Sequence, residues 1–187
     1  MLTIGLLFLA LGARQPPAVD SLAVYAEILE QVRTEFPGRA VALAKTRSGV
    51  DCMPLCGVRL RDPDAPVDTT VVASAPGADH SLALLDSLRA RGLVERTCAV
   101  RQGWYGCPDY PEHLFVALGE IARHPKNGPR PVADGVWVKV ALLVPSTGSC
   151  GQTREPCHPD AMGYWYLLRQ AADGRWTIVR RAPGFTA

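Results

Sequence analysis

The chain has 187 residues, 48% of them hydrophobic and 20% charged, enough apolar residue to bury a core and to exclude wholesale disorder. A formal charge of +2 with no basic block argues against a dedicated nucleic-acid binder. Thirty-three residues are Gly or Pro, so short elements and many turns are expected.

Met1 to Ala13, MLTIGLLFLALGA, carries no charged side chain. Its apolar run is about ten residues, too short for a bilayer-spanning helix of roughly 20. It fits the apolar region of a secretory signal peptide, with Leu11-Gly12-Ala13 as the cleavage site. Residues 14–19 read as a linker around Pro16-Pro17, and 20–187 as a single α+β domain. The expected location is the periplasm or the exterior, with no stable membrane span after cleavage. Arg outnumbers Lys 17 to 3, a bias that points to a GC-rich bacterial genome.

Asp20 to Phe36 has helical spacing, with Leu22, Tyr25, Leu29, Val32 and Phe36 on one face. Asp20 or Ser21 would cap it and Pro37-Gly38 would stop it. Arg39 to Lys45 reads as a short strand. Ser48 to Pro76 is the least regular stretch, with short strands possible at Val58-Arg59-Leu60 and Thr69 to Val72. Asp79 to Arg91 is a second helix, its apolar side made by Leu82, Leu84, Leu85 and Leu88, and Gly92 suits the left-handed position that closes it. His80 and His124 read as solvated or capping residues.

Val94 to Gln102 reads as a strand. Glu112 to Arg123 fits either a helix or a strand buried on both faces, and the strand is preferred. Val136 to Val144 is a strand. Tyr164 to Arg169 and Arg175 to Arg181 flank Asp173-Gly174, a tight-turn signal that predicts a closing hairpin. The expected architecture is thus α+β: one long N-terminal helix and a second helix packed on a curved antiparallel sheet.

Six cysteines fall into three close couples, Cys52 with Cys56, Cys98 with Cys107, and Cys150 with Cys157. Six allow 15 pairings, and the local ones are favoured here. Most have Pro, Gly or polar neighbours, which places them in loops, and an exported chain would oxidise them.

The closing run Y-W-Y-L-L-R-Q-A-A-D-G-R-W-T-I-V-R-R resembles the last hairpin of small exported bacterial α+β domains. It is similar to the nuclear-transport-factor-like and cystatin-like cone folds, in which a curved sheet wraps a long helix, here Leu22 to Phe36. The resemblance implies a pocketed scaffold with many uses. It assigns no activity, and no catalytic residue maps onto this chain.

No strong catalytic motif is present. Thr147 to Gly151 lacks the spacing of a nucleophile elbow. Cys52 to Cys56 has three intervening residues where redox dithiols have two, and Cys150, Cys157 and His158 do not match a zinc unit. No cofactor or metal is expected. The most function-like cluster is Trp104 to His113, in which Trp104, Tyr105 and Tyr110 offer flat contact surface and Asp109, Glu112 and His113 titratable groups. Trp165 alternates against Tyr164 and Tyr166 in the closing strands. The leader, the cysteine couples, the cone-like closing pattern and the lack of a catalytic motif point to a non-catalytic domain that binds a small ligand or an envelope protein, or serves a structural role. The alternative is a small extracytoplasmic enzyme using Glu112 and His113 as an acid–base pair in a sheet pocket.

Overall fold

A computed structural model describes residues 19–47, 79–99, 107, 109–110, 112–125, 128–145 and 160–186. The proposed leader, the couples Cys52–Cys56 and Cys150–Cys157, and the strands suggested within 48–76 lie outside the described residues. The elements in chain order are α1 (Ser21–Glu35), β1 (Val41–Ala44), α2 (Leu82–Ala90), β2 (Arg96–Cys98), β3 (Leu114–Ala122), β4 (Gly135–Val144), β5 (Asp160–Gln170) and β6 (Trp176–Thr186). The six strands form one sheet in the order β2-β1-β3-β4-β5-β6.

The sheet is mixed, where an antiparallel one was expected. β1 pairs parallel with both β2 and β3, and only the β3-β4-β5-β6 half is antiparallel. The reason is the connection. A parallel neighbour requires a crossover, and the chain leaving β1 returns to β2 through α2. All four residues of β1 are buried, as the central strand of a parallel segment must be.

Asp20 starts α1 by accepting from the main-chain N–H groups of Leu22 (2.9 Å) and Ala23 (3.1 Å). Gly38, at φ 76°, turns the chain after the helix. Val24, Ile28, Leu29 and Val32 are fully buried against the sheet; side chains of this size contribute about 1.5–3 kcal/mol each on burial. α2 begins three residues later than the pattern suggested, because Asp79 and His80 serve a tertiary ladder instead. Asp79 bridges Thr46, and the His80 N–H donates to the Lys45 carbonyl at 2.8 Å. Ser81 then caps the helix through Leu84. Leu82, expected on the apolar side, is 76% exposed, while Leu84, Leu85 and Leu88 are buried. Gly92 closes the helix at φ 68°, and the Leu93 N–H returns to the Leu88 carbonyl.

Strand alternation splits the core in two. Leu114, Val116 and Leu118 of β3, with Val136, Val138, Val140 and Leu142 of β4, face the helices. Phe115, Ala117, Ala141, Leu143 and Ala161 face the opposite way, around the Cys98–Cys107 disulfide. The β3–β4 register shifts between Leu118 and Ile121. Within that irregularity the Tyr25 hydroxyl donates to the Gly119 carbonyl at 2.9 Å, pinning α1 to the sheet.

Candidate functional site

The strands β1, β2 and β3 are parallel, so the residues that lead into them gather at one end of the sheet. Ala40 receives the Leu114 N–H and Val41 the Glu95 N–H. A groove of about 640 Å3 opens there, between the last turns of α1, the Pro37-Gly38 turn, Arg39-Ala40 and Glu95. Its lining carries both signs of charge: Glu30 and Glu95 against Arg33 and Arg39. Arg33 donates to the Gly92 carbonyl (3.0 Å) and Arg39 to the Pro145 carbonyl (3.5 Å). Among the described residues neither guanidinium meets a carboxylate. Among the described residues Glu95 is the one groove charge with an opposite partner, 4.0 Å from Arg96 Nε, so Glu30, Arg33 and Arg39 stay available to a ligand.

Glu112 and His113 precede β3 at the same end. Glu112 Oε1 lies 2.9 Å from His113 Nδ1, and Glu95 Oε1 lies 3.5 Å from Nε2. The imidazole thus sits between two carboxylates, although neither contact aligns as a hydrogen bond. The residues differ sharply in access. Glu112 is 70% exposed, whereas both His113 ring nitrogens are out of reach of solvent. The groove lining includes Glu95 but not His113, so the ring reaches the groove only through Glu95. Tyr110 is half-buried, with its ring centroid 5.3 Å from that of His113 and the Arg96 guanidinium 5.5 Å above its own. It packs on the second core cluster beside Cys107. Asp109 is exposed. Trp104 and Tyr105 lie outside the described residues.

Trp165 stands apart from this group. It is half-buried on β5, paired in register with Lys139, whose ammonium lies 5.7 Å from the ring centroid. Tyr164 and Tyr166 turn to the helix face. There Arg181 stacks on Tyr164 at 4.6 Å and pairs with Glu35 at 2.7 Å, so this strand arginine ties β6 to α1.

His80 corrects the expectation of a solvated or capping residue: it is only 4% exposed. Its ring meets Tyr25 edge-on at 5.3 Å. Burial and, secondarily, the Arg47 charge push its pKa down to about 4, so the ring is neutral at physiological pH. Burial likewise pushes the Tyr25 phenol up to about 12. His124 is exposed. No local pattern marks His80 as buried, because the contacts that bury it come from α1 and the end of β1, both distant in sequence.

Among the described residues no three His, Cys, Asp or Glu side chains come together to hold a metal ion, and no helix is long and apolar enough to cross a membrane. No family model matches the chain, and no similar curated protein or solved structure was found.

Proposed function

We propose that this is an exported, non-catalytic binding domain whose ligand contact surface is the charged groove at the end of α1. One observation carries the reading: Glu30, Arg33 and Arg39 line the groove with no opposite charge paired to them among the described residues, while both nitrogens of His113 are buried. A general base needs a nitrogen within hydrogen-bond reach of the substrate proton. His113 offers none without displacing a neighbouring carboxylate. The 2.9 Å approach of Glu112 is what favours the alternative, an acid–base enzyme, and it lies on the solvent side of a buried ring.

The mixed charge of Glu30, Arg33, Arg39 and Glu95 suits a zwitterionic or peptide-like ligand, small or presented by an envelope protein. The Cys98–Cys107 disulfide supports export, since such bonds persist in oxidising compartments. The curved, helix-wrapping sheet implied by the cone-fold resemblance belongs to the same proposal. The test is an NMR titration of the 15N-labelled chain with charged dipeptides, beginning with Glu-Arg. Shifts at the amides of Thr34, Gly38 and Ala40, lost in R33A/R39A, are expected. Shifts centred on Glu112 and His113, or none across the panel, contradict the reading.

A further inference from the structure

At the opposite end of β1 from the groove lies a junction around the buried His80 that the binding proposal does not use. The lead-in to α2 is held there by main-chain contacts. The His80 N–H donates to Lys45 O, and the Lys45 N–H donates to Cys98 O, each at 2.8 Å. Thr46 bridges Asp79, and its hydroxyl donates to Asp79 Oδ1 at 3.0 Å. The His80 side chain is buried, edge-on to Tyr25 of α1. Among the described residues neither ring nitrogen completes a hydrogen bond, and neither does the buried Nε of Arg47.

We propose that His80 is an acid-operated latch: its neutral ring closes the lead-in to α2 against the end of β1, and protonation releases that junction. A charged ring would bury two N–H donors with only the poorly aligned Leu118 carbonyl near to accept among the described residues, which is costly in such a site. It would also place a second cation beside Arg47.

The surrounding charges decide the sign. From α1 the ring faces Tyr25, neutral below its raised pKa. After β1 the chain brings Lys45 and Arg47, and Arg47 opposes protonation. From β3 the Leu118 carbonyl favours it, as does Asp79 next in sequence. Glu120 of β3 acts on Tyr25. Burial and Arg47 outweigh the favourable groups, giving the value of about 4 against an ordinary 6.5. The latch is therefore fully closed above pH 6.5 and weakens progressively between 6.5 and 4. That gap limits the shift in the opening equilibrium to about 300-fold.

The experiment is hydrogen exchange on the full chain at pH 7 and near pH 4, comparing the wild type with H80F and D79N. Comparison at equal pH cancels the intrinsic exchange rate. The latch predicts that the His80 and Leu85 amides lose protection in the wild type at the lower pH, up to about 300-fold. H80F should retain it, and D79N should still respond to acid. Equal loss in the wild type and H80F overturns the proposal, as does a response that disappears in D79N. Independently of any variant, the His80 ring resonances should titrate well below 6.5 in the native chain. A midpoint at or above 6.5 overturns the latch.

Discussion

Replacing both Cys98 and Cys107 by alanine removes the bridge that ties β2 to the stretch before β3. The two positions are nine apart in sequence, with Cα atoms 5.8 Å apart, within the usual span of a disulfide. The chain-entropy relation for so small a loop gives roughly 2.5 kcal/mol at 25 °C, acting on the unfolded state. Both residues are also 5% exposed, in a cluster with Phe115, Ala117 and Leu143. Losing two sulfur atoms from that packing costs about 1 kcal/mol more. The double variant should therefore be about 3–4 kcal/mol less stable. For a chain of this length that is a drop in Tm of roughly 6–16 °C. Urea unfolding followed by circular dichroism, under conditions that keep the other cysteines as they are, measures it. A loss under about 1 kcal/mol would refute the reasoning. It would mean that the bridge is not formed in solution, or that the loop is already restrained without it.

Other substitutions probe the remaining joints. L29A, at a fully buried α1 position, should cost about 3–5 kcal/mol in denaturant unfolding, because the helix packs on a sheet that cannot collapse into the gap. Y25F strands the Gly119 carbonyl and should cost about 1–2 kcal/mol. Tyr25 has a second signature in alkaline unfolding. Its folded pKa of about 12 exceeds the ordinary 10, so its stabilisation is full below pH 10 and is lost as pH rises to 12; in Y25F this part of the pH dependence should vanish. The Arg181–Glu35 pair is partly exposed, so a double-mutant cycle should return only about 0.5 kcal/mol.

Local chemistry made several features legible. Asp20 ahead of an apolar face marks the start of α1, and Gly92 followed by Leu93 marks the end of α2. The Val-rich run Val136 to Val144 reads as a strand, and β4 is that strand. Glu112 to Arg123 was ambiguous because its apolar residues satisfy both periods. Tertiary pairing with β1 and β4 resolves it as β3, with a register shift between Leu118 and Ile121. The parallel half of the sheet was not legible. Strand direction depends on where a crossover lands, and the run Val41 to Ala44 is too short to announce it.

The candidate site divides along the same line. Tyr110, Glu112 and His113 are close in sequence, and their proximity followed from spacing alone. The groove draws on α1, the turn after it and the entry to β2, so Glu30, Arg33, Arg39 and Glu95 carried no shared signal. His80 departs from its expected exposure for a related reason. Polar neighbours such as Asp79 and Ser81 suggest exposure, but main-chain bonding to Lys45 draws the ring inward.

The distinction between a binding groove and an acid–base site rests on access to one imidazole. Carbethoxylation of the native chain, mapped by mass spectrometry, reads that access residue by residue. The exposed His124 should react fast, and His113, with both ring nitrogens buried, should stay unmodified on the same timescale. If His113 reacts as quickly as His124, its nitrogens are open to substrate and the non-catalytic account fails.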